Sequence, residues 1–66
     1  VVAMKAGDLV RLTFTEKQRG DLVGALAIIQ EIYSVSGVLC ASVLVTTGPS
    51  YGRRRDFAVQ DMTKLS

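Results

Sequence analysis

Residues Gly24–Thr46 read GALAIIQEIYSVSGVLCASVLVT, and the pairing of this stretch decides the fold. Composition alone would allow Gly24–Ser34 a short helix. Its β-branched Ile28, Ile29 and Ile32, followed by Tyr33, favour a strand instead, with Gln30 and Glu31 marking where it leaves the core. Val35-Ser36-Gly37 is a turn. Val38–Thr46 then runs on as a second strand, with Leu39, Ala41, Val43 and Val45 on one face and Cys40, Ser42 and Leu44 on the other. The uncharged run Ile32–Gly52 is long enough to raise a membrane span. Its serines, glycines, Pro49 and valines fit two strands around a turn better, so no membrane is expected.

Working outward, Leu9–Phe14 alternates Val10, Leu12 and Phe14 against Arg11 and Thr13, the period of a half-buried strand. Val1–Ala6 reads as an extended lead-in, in which Met4 stands where a translational start would look natural. Gly7-Asp8 makes a turn, and Thr15–Asp21 is a polar, charged loop closed by Gly20. Gly48-Pro49-Ser50 breaks the chain again before Arg53–Val59, where Arg53, Arg55, Phe57 and Val59 alternate with Arg54, Asp56 and Ala58. Gln60–Thr63 reads as one helical turn capped by Asp61, followed by a short closing strand at Lys64-Leu65. Turn signals roughly every ten residues indicate a small antiparallel barrel, since closing the sheet removes its edges.

Sixty-six residues make a single domain, residues 1–66. So short a chain buries only about 60% of the surface it exposes when unfolded. The usual supplements are not available to it. Cys40 is the lone cysteine, and with no histidine one thiol cannot build a zinc site. An apolar content of 48% then points to surface that meets another chain. No segment has the pattern of a signal peptide, and the net charge of +2 does not by itself imply nucleic acid.

Catalysis has little to stand on. Asp8, Glu16, Asp21, Glu31, Asp56 and Asp61 each adjoin turns or strand ends, and Cys40 has no histidine to activate it. No phosphate-binding glycine loop is present, and no catalytic, cofactor-binding or metal-ligating residue is expected. Arg19-Gly20-Asp21 spells the integrin-binding tripeptide, yet Gly-Asp is ordinary turn chemistry. The remaining feature is Thr47–Phe57, TGPSYGRRRDF, with three consecutive arginines. Beside Tyr51 they could neutralise phosphates and stack a base. Alternation sets Arg54 opposite to Arg53 and Arg55, however, and Asp56 follows directly. A charged strand start that discourages edge pairing and a grip on a protein surface are the other readings. The candidate interface residues are Lys17, Arg19, Tyr51, Arg53, Arg54 and Arg55.

With the segments placed, a similarity emerges. Met4–Leu12 resembles the opening strand of small SH3-like barrels, K-x-G-D-L-V-R. Leu26–Ile32 resembles their second strand, with Ala27 where glycine is usual, and Val43-Leu44-Val45 fits the third. Phe57–Ser66 is similar to the closing F-x-V-x-D-L-x-x-L-S, with Met62 for leucine. Short chains of this pattern are common in tailed bacteriophages, cyanophages included, although Val45 stands where an aromatic is usual in them. The resemblance implies a five-stranded SH3-like barrel with one short 3-10 turn near the C-terminus. It also implies a non-enzymatic virion protein, of capsid decoration, cement or connector type, assembled in the host cytoplasm. Its partners would be capsid or neck and tail subunits in many copies. The same barrel serves in Tudor- or KOW-like nucleic-acid modules, and in photosystem accessory subunits. Phe14, Tyr33, Tyr51 and Phe57 are too spread out for an aromatic cage. The core expected from alternation is Val10, Leu12, Leu26, Ile28, Ile32, Val43, Val45, Phe57, Val59, Met62 and Leu65.

Overall fold

The structure, a computed structural model, describes residues 4–14, 17 and 20–65. Gly24–Thr46 forms the expected hairpin: β2 spans Leu26–Val35 and β3 Val38–Val45. Ser36 and Gly37 connect them with φ of 50° and 82°. Two positive φ values in a two-residue loop match the right-handed twist of the strands it joins, and glycine removes the steric cost at the second position. β1 is Leu9–Leu12, β4 Arg54–Ala58 and β5 Met62–Lys64. Short 3-10 turns stand at Gly20–Leu22 and, between β4 and β5, at Val59–Asp61.

All pairings are antiparallel, and the five strands form one sheet in the order β4-β3-β2-β1-β5. The protein is thus a small all-β, barrel-like fold with a 3-10 turn ahead of its last strand, as the closing segment predicts. The sheet is open, so β4 and β5 remain as edges. The C-terminal turn lies slightly earlier than expected. Asp61 ends it instead of capping it, and Ala58 stands at the cap position without a side-chain bond.

The core lies on one side of this sheet, where Val10, Leu12, Ala27, Ile29, Ala41, Val43, Val45, Phe57 and Met62 are buried. Phe14 packs on Phe57 edge to face, with ring centroids 5.0 Å apart. Three core expectations fail here. Leu26 is only partly buried, while Ile28 and Leu65 are 38% and 44% exposed. In β2 the inward residues are Ala27 and Ile29, the opposite parity. The register then shifts between Ile29 and Glu31. This bulge at Gln30 turns the strand over, so Ile32 packs against the core beside Ala41. One extra residue in one strand of a pair has that effect. Leu22 and Ala25 complete the core. Leu22 lies at the end of the polar loop, where the 3-10 turn directs it inward.

One carboxylate is buried at the start of β1. Asp8 accepts the Lys5 backbone N–H (2.9 Å) and pairs with Lys5 Nζ at 3.1 Å and Lys64 Nζ at 3.4 Å. The Lys5 N–H, and then the Lys5 side chain, hold its carboxyl below the usual aspartate value of 3.8. The contact ties the chain before β1 to β5.

Candidate functional site

The arginine segment is built by two turns. The Tyr51 N–H donates to the Gly48 carbonyl, and the Arg53 N–H to that of Ser50. Gly52, with φ of 81°, then donates to the Val45 carbonyl, while the Val45 N–H returns to Arg53. Two residues opposing one, the first a glycine of positive φ, make a bulge that turns the chain into β4. Ser50 is buried beneath, and Tyr51 projects with 74% of its surface exposed.

From this start β4 pairs Arg54 with Leu44, Arg55 with Val43 and Asp56 with Ser42. Arg53 and Arg55 therefore share the side of the buried valines, and Arg54 lies on the outer face, as alternation predicts. All three are exposed. Arg55 is exposed although it pairs with buried Val43, whereas Phe57, two residues on along the same face, is buried. Tyr51 and the arginines are thus brought together at one end of β4. Lys17 is exposed on the segment ahead of the Gly20–Leu22 turn, a different part of the chain, and Arg19 lies outside the described residues.

The outer sheet face adds a feature that alternation missed. Ile28 pairs with Leu9 on one side and Leu44 on the other, Leu44 pairs with Arg54, and the Leu65 N–H bonds to the Leu9 carbonyl. One row therefore runs from Leu65, just past β5, across the other four strands as Leu9, Ile28, Leu44 and Arg54, apolar until its end. Parallel rows bring Glu31, Ser42 and Asp56 together, then Tyr33, Cys40 and Ala58. The Tyr33 hydroxyl reaches diagonally over β3 and donates to Asp56 Oδ2 at 3.0 Å. Donation to a carboxylate raises the Tyr33 pKa above its ordinary value. Beyond β4 the hairpin continues to an exposed apolar tip of Val35, Val38 and Leu39, which borders a groove shared with Val59 and Gln60.

This surface mixes apolar side chains with charges of both signs. Such a mixture can grip a protein neighbour, whereas a phosphate backbone would meet Glu31 and Asp56 beside Arg54. Among the described residues, no cluster of three or more His, Cys, Asp or Glu side chains could hold a metal. No helix among them is long and apolar enough to cross a membrane. Comparison with protein-family models, curated proteins and solved structures finds no match to the chain.

Proposed function

We propose that this chain is a non-enzymatic interaction module, working as a structural subunit of a large assembly. One observation carries the reading: large apolar side chains left outside the core. Ile28, Val35, Val38, Leu39, Tyr51 and Leu65 are all more than a third exposed. On a chain this small such surface favours burial against a neighbour. The likeness of its strands to small phage barrels suggests that the assembly is a virion, with the chain decorating, cementing or connecting capsid, neck or tail subunits. An accessory role in another multi-subunit complex would use the same surface. The test is mass spectrometry of particles purified from cells that make the chain. The expected result is recovery with the particle in stoichiometric amounts. A stable soluble monomer absent from every particle fraction would overturn the reading.

The exposure of Tyr51 next to Arg53 favours one other reading, a single-stranded nucleic-acid contact. Counterion release makes such binding fall steeply with salt, and replacing any of the three arginines would weaken it. An oligonucleotide titration at low salt decides, since no binding there eliminates it.

A further inference from the structure

The backbone of β4 offers a second kind of contact, and two independent features define it. A two-residue hairpin loop makes Val35 and Val38 a hydrogen-bonded pair. Alternation along β3 then directs the backbone groups of Cys40, Ser42 and Leu44 toward β2, and those of Ala41, Val43 and Val45 toward β4. The Val45–Arg53 bond at the bulge agrees with that assignment. In β4 it follows that Arg55 and Phe57 bond to β3. Arg54 and Asp56 turn their N–H and C=O groups away from the sheet, and Ala58 its N–H, while the Ala58 carbonyl heads the 3-10 turn Val59–Asp61. Among the described residues, no other strand pairs with this edge, and Arg54 and Asp56 are exposed.

We propose that this edge takes an extended acidic segment of a partner protein as an added strand, and that this is how the interaction module reads its partner. The proposal therefore rests on the function given above. Strand addition at a free edge derives affinity from the backbone and selectivity from the side chains opposite. Here those side chains are Arg53, Arg54 and Arg55, on both faces of the strand, followed by Asp56. Three consecutive acidic residues in the partner would thus each meet a cation, and the residue opposite Asp56 would be uncharged or basic. Tyr33, bonded to Asp56 across β3, holds the edge against the sheet, so little ordering is required on binding.

The probe is a short capped peptide with consecutive glutamates in a valine- and threonine-rich context, read by amide hydrogen exchange. At saturation, exchange at Arg54, Asp56 and Ala58 should slow by about tenfold or more. Arg55 and Phe57, already in the ladder with β3, should not change. A lysine version of the peptide should leave all five amides unaffected. Ala58→Pro supplies a variant that keeps the fold. Ala58 already has φ of −66°, the proline value, and its N–H faces outward. This variant should bind the acidic peptide at least several-fold more weakly. Failure of the peptide to bind, or binding without protection at those three amides, would overturn the inference. So would protection that grows with protein concentration alone, which would put a second copy on the edge. If the chain still enters particles while these tests fail, the strand-addition mode falls and the interaction module stands.

Discussion

Two groups of cations in this molecule have opposite fates. Lys5 and Lys64 converge on the buried Asp8 carboxylate, at 3.1 and 3.4 Å, where they join the lead-in, β1 and β5. Arg53, Arg54 and Arg55 stand exposed on an edge strand, divided between its two faces. A sequence shows both groups simply as basic residues near acidic ones. The difference between them is burial of the acid. Charge held against a buried carboxylate serves the fold, because losing the lysines leaves a desolvated carboxylate with fewer partners. Charge projecting into water contributes little to stability and so remains available for a partner.

The strongest way to break that contrast is at Asp8. Asp8→Ala removes the acceptor for the Lys5 N–H and for both ammonium groups. Its thermal midpoint should fall further than that of any single arginine replacement. Asp8→Asn, which keeps one carbonyl acceptor but no charge, should fall between. If Arg54→Ala costs as much as Asp8→Ala, the division into fold-serving and partner-serving cations is wrong.

Acid titration sharpens the same point without mutation. The folded-state pKa of Asp8 lies below its unfolded value near 3.8, so the native state binds fewer protons than the unfolded state between those two values. The stability Asp8 confers is thus fully present above the unfolded pKa and is lost as pH falls through the folded one. Denaturant midpoints should decline on that acid limb, and Asp8→Asn should flatten it. Equal slopes in the two proteins would remove Asp8 from the account.

These features differ in how far the sequence reveals them. The first four strands were legible, because alternation and Gly, Ser or Pro breaks bound each one. The fifth reads two residues late, at Lys64-Leu65 instead of Met62–Lys64, since no such break separates it from the 3-10 turn. The parity of β2 was not legible. Ile28 and Ile29 are adjacent and equally apolar, so either could face inward, and Ile32 made the even set look right. The bulge at Gln30 lets Ile29 and Ile32 both face the core, and a strict period of two cannot represent an extra residue. Leu65 misled through parity as well: it continues the register of β5 opposite Leu9, through its N–H bond to the Leu9 carbonyl, and so falls on the outer face, away from buried Met62. Leu22 was hidden in a charged segment, although an isolated Leu22-Val23 pair in a polar loop is itself a hint of a plug. In the candidate site, the division of the arginines followed directly from alternation. The row of Leu9, Ile28, Leu44 and Leu65 did not, since it depends on how four separate segments align.

The smallest expected effect tests the arginine half of the contrast. Arg53→Gln, Arg54→Gln and Arg55→Gln should each change stability by no more than about 0.5 kcal/mol, as surface replacements commonly do. Each keeps a long side chain over the β4 edge while removing its charge. If the arginines serve a protein neighbour, incorporation into the assembly should drop with each replacement although melting is unchanged. The loss should grade with position. Arg54 closes the apolar row of Leu65, Leu9, Ile28 and Leu44, so its replacement should weaken assembly most. Arg53, beside the turn, should matter least. A uniform loss across the three, tracking salt concentration alone, would instead describe diffuse attraction to charge. Stability measured alongside binding separates these outcomes from simple unfolding.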